Sequence, residues 1–150
     1  MQVTVKQHSY ITRFQGTFSS LAEGRGPISA PADKEEIHTE GIGALSEQEN
    51  GFLLSFQEKG KDGEAVTLRF SRKENTLYLT RGKTKMVFAL AKETSFSHYT
   101  YMGEFLLKAY TRKLEQKSKD GSFLFVLEYD LLLSGMLQKN RILFHFGKNL

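Results

Sequence analysis

Residues 123–133 read FLFVLEYDLLL, and the apolar spacing within them decides between helix and strand. Phe123, Phe125, Leu127, Tyr129, Leu131 and Leu133 occupy every second position, with Glu128 and Asp130 on the other side. The beat therefore has the two-residue period of a strand and not the period of about 3.6 residues of a helix. The stretch AVTLRFSR repeats it, with Val66, Leu68 and Phe70 on one side and Thr67, Arg69 and Ser71 on the other. It recurs in Met86, Phe88 and Leu90, in Phe105, Leu107 and Ala109, and in Ile142, Phe144 and Phe146.

Turn signals fall between the beats: Glu49-Asn50-Gly51, Lys61-Asp62-Gly63, Glu74-Asn75, Arg81-Gly82, Met102-Gly103, Lys119-Asp120-Gly121 and Ser134-Gly135. The pattern predicts nine or ten strands, near residues 2–13, 35–45, 51–59, 65–72, 75–81, 84–91, 93–101, 103–117, 122–134 and 136–147. Connections this short make neighbouring strands antiparallel. An antiparallel meander with one apolar face either stacks as two sheets or closes into a barrel, and closure also removes exposed strand edges. In the hairpin around Asp120-Gly121 the inward set is odd at Phe105, Leu107 and Ala109, yet Leu114 must also face Phe125 or Leu127. A β-bulge within Thr111–Lys113 supplies the extra residue.

The chain has 150 residues, about one domain, long enough to bury roughly 70% of the surface its unfolded form exposes. It has no cysteine, which excludes disulfide frameworks, thiolate nucleophiles and cysteine metal sites. No apolar run of membrane-spanning length occurs, and the N-terminal stretch lacks a leader pattern, so a cytoplasmic protein is expected. Residues 14–34, rich in Gly, Ser and Ala and holding both prolines, read as a flexible loop, either a lid or a disordered segment. The net charge of +4 is uneven. Residues 1–65 carry 6 basic and 10 acidic side chains, whereas residues 66–150 carry 15 and 7. A basic surface built from Arg81, Lys83, Lys85, Lys108 and Arg112 follows as an alternative site for a protein or nucleic-acid partner.

Chemistry-bearing motifs are few. Glu128 and Asp130 have the spacing of paired carboxylates, but the alternation turns both outward, where they read as surface ion-pair partners of Arg112 or Lys113. His8, His38, His98 and His145 show no short-range ligand spacing, so neither a metal site nor a cofactor is expected. No phosphate loop, nucleophile elbow or zinc-protease motif occurs, and an enzyme is not the expectation. Most aromatic residues fall on the core beat, which makes nucleic-acid stacking an unlikely use for them. In FSHYTYMGEF, residues 96–105, an inward Phe96 brings His98 and Thr100 inward too and leaves Tyr99 and Tyr101 outside. His98, Thr100, Thr111 and Tyr129 are accordingly candidates for the wall of a ligand pocket in the lumen, because buried polar groups need partners.

From about residue 80 onward the motifs RGKTKMVF, YTYMGEF, AYTRKLE, GSFLFVLEYDLLLSG and NRILFHF resemble the YwiB-like proteins of Gram-positive bacteria, in family order and approximate spacing. The family's Tyr-x-Thr-Pro-Tyr-Gly element appears here as His98-Tyr99-Thr100-Tyr101-Met102-Gly103, keeping only the threonine and glycine. Its Arg-x-Gly is replaced by Thr80-Arg81-Gly82. The resemblance implies an all-β antiparallel meander closed into a single calycin, lipocalin-like β-barrel of about 8–10 strands, and it implies no activity. Together these readings point to a non-catalytic binder of a small apolar or amphipathic ligand.

Overall fold

The computed structural model describes residues 1–14, 31–133 and 136–148. Ten strands follow one another: β1 (Gln2–Phe14), β2 (Pro31–Gln48), β3 (Gly51–Glu58), β4 (Ala65–Ser71), β5 (Thr76–Arg81), β6 (Thr84–Ala89), β7 (Glu93–Thr100), β8 (Gly103–Lys119), β9 (Ser122–Leu133) and β10 (Met136–Gly147). There is no helix among the described residues. Of the loop expected over 14–34, residues 15–30 lie outside the described residues; Phe14 and Pro31 are a cross-strand pair.

All ten strands join one antiparallel sheet in the order β6-β5-β4-β3-β2-β1-β10-β9-β8-β7. The first and last strands pair from Thr4↔Gly147 to Arg13↔Gln138, so the two ends of the chain form a continuous ladder. The sheet is thereby nearly closed into a barrel, with one departure from the expectation that neighbours in sequence pair. Strands β6 and β7 share no ladder among the described residues. The cause lies in the turn between them. Ala91 takes φ 58°, a left-handed conformation that side chains disfavour, and the turn bonds to β8 instead. Ala91 N–H donates to the Thr111 carbonyl at 2.8 Å, and Thr111 N–H donates to the Lys92 carbonyl at 3.4 Å. Elsewhere the β6–β7 seam is held by side chains: the Thr94 hydroxyl donates to the Val87 carbonyl, and Thr84 Oγ1 meets His98 Nδ1 at 3.2 Å.

The expected bulge is present. Thr111 pairs with Tyr129 and Lys113 with Glu128, so Arg112 is the extra residue and the inward set passes from Ala109 and Thr111 to Leu114. The Lys119–Ser122 hairpin turns through Asp120 at φ 51° and Gly121 at φ 81°, the paired left-handed conformations of a two-residue type I′ turn. Asp130 corrects the surface reading. It is only 4% exposed and is bound by the Arg112 guanidinium at 2.6 Å, because the bulge lays Arg112 over it. Glu128 is the more exposed carboxylate and pairs with Arg141 at 3.2 Å.

Phenylalanines fill one end of the lumen. Phe52 lies 5.3 Å from both Phe125 and Phe146, and Phe70 lies 4.8 Å from Phe125, ring centre to ring centre. These tilted and edge contacts are the preferred aromatic geometries. Phe88 and Phe125 are fully buried, as expected, but Phe105 is 37% exposed. It sits at the start of β8, opposite His98, where the β7–β8 hairpin runs past the closed part of the wall. Gly41 and Gly43 face the core opposite β3. A Cβ on Gly43 would lie 1.9 Å from the Ser55 carbonyl oxygen and 2.6 Å from Phe56 Cα, so the strand can bend tightly there only without side chains.

Two substitutions test this account in urea melts. Ala91→Gly should raise stability by about 0.5–1 kcal/mol by relieving the left-handed backbone. Gly43→Ala should lower it by about 1–3 kcal/mol or more, since the new methyl meets backbone rather than a movable side chain.

Candidate functional site

Among the described residues, the end of the barrel opposite the phenylalanine plug is an open mouth. It is formed by the starts of β6, β8 and β10 and the ends of β1, β5, β7 and β9. Two adjoining chambers occupy it. The larger, about 670 Å³, is lined by Met86, Phe96, Leu107, Tyr129, Leu131 and Leu133, with Arg81, Thr84 and His98 among its polar members. The smaller, about 450 Å³, is lined by Phe105, Leu107, Leu133, Met136 and Leu137, with Arg13, His98, Thr100 and Gln138. His98, Leu107 and Leu133 border both, so the chambers meet beside the β6–β7 seam. The rim beyond them is apolar and solvent-facing: Tyr99, Tyr101, Met102, Leu106 and Met136 are all exposed, Tyr101 to 98%. A cluster of this kind at a cavity entrance is a recognition feature more often than an accident of folding.

The four residues expected to line a pocket are distributed unequally. His98 borders both chambers, but it is exposed, and its Nδ1 clasps Thr84 across the seam. Thr100 borders the smaller chamber, is also exposed, and shapes a turn: its Oγ1 accepts from Met102 N–H at 3.1 Å and donates to the Gly103 carbonyl at 3.2 Å. Both lie on the predicted face of β7, beyond the point where that face is covered. Thr111 is fully buried in the wall and borders neither chamber, its backbone being committed to the Ala91–Lys92 turn. Tyr129 forms the floor of the larger chamber, its ring 4.5 Å from Phe88. The residue is half-buried and edges the cavity, and desolvation by the surrounding wall pushes its phenol up to about 12.

Both arginines at the mouth are paired with carboxylates, while Lys83 also lines the larger chamber. Arg13 reaches Asp33 at 3.1 Å and Glu35 at 2.8 Å, and these carboxylates, with hydrogen bonding to Glu35 foremost, raise its pKa. Arg81 reaches the buried Glu58 at 2.9 Å and Glu64 at 3.3 Å, and Glu58 Oε1 also accepts from Glu64 N–H at 3.1 Å. This alters the expected basic surface as well. Arg81 and Lys83 belong to the mouth and Arg112 is bound to Asp130, leaving Lys85 and Lys108 as exposed cations away from it. Sequence reasoning placed Met86, Leu107, Leu131 and Leu133 on the inner face. Arg13 and Gln138 carried no signal of their own, because only the β1–β10 register brings them to the mouth.

The fold and this end define an open-mouthed antiparallel β-barrel with an apolar cavity. The chain matches the family described as Domain of unknown function (DUF1934) over residues 24–143, and it belongs to that family. Its fold is similar to that in the crystal structure of the ywiB protein from Bacillus subtilis. That likeness has 14% sequence identity and a TM-score of 0.67, and covers 99% of this chain and 94% of the other. The motif resemblance to YwiB-like proteins therefore holds. No functionally curated protein matches the chain.

Tyr129 gives a test of the cavity floor. A phenol whose folded pKa is raised from 10 to about 12 keeps its full stabilising effect below pH 10 and loses it as pH climbs through 12. Wild-type protein should thus lose about 2–3 kcal/mol relative to Tyr129→Phe across that window. Paired alkaline melts measure the difference, and parallel curves would show that the hydroxyl is hydrated.

Proposed function

We propose that the barrel mouth binds a small apolar or amphipathic molecule, and that the protein acts as a carrier or sensor of that molecule. The observation that carries this reading is the larger chamber, about 670 Å³ and walled mainly by Met86, Phe96, Leu107, Leu131 and Leu133. Its volume falls in the range of small-molecule sites, which are mostly apolar with a few polar groups to orient the ligand. Barrels of about eight strands can already hold one such ligand in the lumen, as lipocalins do, ten strands leave more room, and the calycin-like resemblance favours the same use.

Charge bears on the ligand class. Two arginines at a cavity mouth ordinarily suggest a carboxylate or phosphate ligand. Here each guanidinium already faces two carboxylates, Asp33 and Glu35 in one case and Glu58 and Glu64 in the other. At the larger chamber the charges of Arg81, Glu58 and Glu64 are offset by Lys83, which also lines the wall, so an anion would find that lysine rather than either arginine. His98, Thr84, Gln138 and Tyr129 add hydrogen-bonding groups suited to an alcohol, ether or carbonyl.

Titration with the neutral dye N-phenyl-naphthylamine, followed by competition with isoprenoid alcohols and with fatty acids, tests the reading. Expected are saturable fluorescence and displacement by the alcohols, with the acids reporting whether Lys83 adds a contact. Leu133, 39% exposed and bordering both chambers, offers a blocking site. Leu133→Trp should cut dye affinity about tenfold or more, equal to about 1.4 kcal/mol, with little change in melting temperature. Dye binding that survives this substitution, or no binding at all, would remove the carrier reading.

A further inference from the structure

On the outer face of the β1–β2 ladder, away from the mouth, His8 and His38 stand directly opposite each other in register. Their ring centres are 3.5 Å apart. Glu36, two residues from His38 on the same face, places Oε2 at 3.8 Å from Nε2 of each imidazole. One donor atom from each of the three side chains lies within 4.8 Å of the others. We propose that His8, Glu36 and His38 bind a divalent transition metal of the zinc class.

The geometry needs little adjustment. Bonds of about 2.0–2.1 Å in a tetrahedral site set donor atoms about 3.3–3.4 Å apart, which the carboxylate already approaches. Glu36 and His38, each 63% exposed, are free to rotate the remainder. A second observation points the same way. His8 Nε2 is shut off from water and has no hydrogen-bond partner among the described residues, although the rest of the ring is partly accessible. Stacking on Tyr10 at 4.4 Å and 13° fixes the plane of that ring. A buried imidazole nitrogen ordinarily finds a partner. A metal supplies one for both imidazoles and the carboxylate together.

Two imidazoles and a carboxylate suit zinc, cobalt or nickel better than calcium or magnesium, which prefer oxygen. Three protein ligands leave a coordination position, and the exposure of His38 and Glu36 turns it toward solvent. Lys6, Glu40 and His145 border the same hollow, of about 300 Å³. His145 lies opposite Lys6 and does not join the donor cluster.

The test uses untagged protein stripped with chelator, titrated with zinc by calorimetry and with cobalt by visible absorption. Expected are one equivalent per chain, a micromolar or tighter Kd, cobalt bands typical of low coordination number, and a zinc-dependent rise in melting temperature. His38→Gln and Glu36→Gln, both at exposed positions, should weaken zinc binding by about tenfold or more, and His145→Gln should leave it unchanged. His8→Gln tests the third ligand, but its packing makes the exposed variants decisive. Absence of stoichiometric binding at about 100-fold the expected Kd, or binding that His38→Gln does not weaken, overturns the proposal.

Discussion

A ten-stranded twisted sheet becomes a tube here at one small place, the main-chain contact between Thr111 and the Ala91–Lys92 turn. Every other neighbouring pair is joined by a ladder, including the first strand to the last. The remaining gap falls between β6 and β7, which are consecutive in sequence. Bonding to β8 draws the turn across the wall and leaves the flanking strands to diverge. Divergence away from that pin is what opens the mouth, because the larger chamber lies along Thr84 and Met86 on one side of the seam and Phe96 and His98 on the other. The bulge at Arg112 depends on the same point. It turns Thr111 inward and Leu114 inward after it, so one long strand can present its backbone to the turn and still cover the core on both sides.

Much of this was legible in the sequence because it is local. Period-two spacing located ten strands, Asp120-Gly121 located a tight hairpin, and the parity conflict between Ala109 and Leu114 located the bulge. Failures arose where a property depends on which strands meet. Period two correctly puts Phe105 and His98 on the inner face, but burial requires something opposite, and the β7–β8 hairpin outruns its cover. Short connections usually imply pairing, and β6–β7 breaks the rule through one residue's backbone conformation. His8 and His38 are thirty residues apart in the sequence, so no ligand spacing exists to be seen, and only the β1–β2 register brings them together.

Ionic groups show how the fold manages carboxylates that geometry buries. Glu58 continues the inward set of Phe52, Leu54 and Phe56, and Asp130 is covered by the bulge; each is almost fully buried and each meets a guanidinium. Leaving either unpaired would cost several kcal/mol, of order 3–5, which gives Arg81 and Arg112 structural duties that outweigh any role as free surface cations. The basic half of the chain consequently yields a smaller basic surface than its charge count suggests. At the mouth the same pairing occupies both arginines and leaves Lys83 as the cation on the wall of the larger chamber.

Between plug and mouth, the lumen holds a polar row. Thr111, Tyr129 and Asn140 are successive partners across β8, β9 and β10. Asn140 Oδ1 accepts from Gln138 Nε2 at 2.8 Å, while Asn140 Nδ2 and Thr111 Oγ1 find no partner among the described residues. Each unmet buried group costs about 1–3 kcal/mol. Only Tyr129 of this row faces a chamber, and collapse of the mouth would press aliphatic side chains against its polar end, which opposes the closure that hydrophobic burial otherwise favours. Polarity below the cavity thus acts in the same direction as the seam beside it. Leu131 and Leu133 keep facing an opening because Tyr129, next inward on the same strand, sits in a layer that a purely apolar packing cannot absorb.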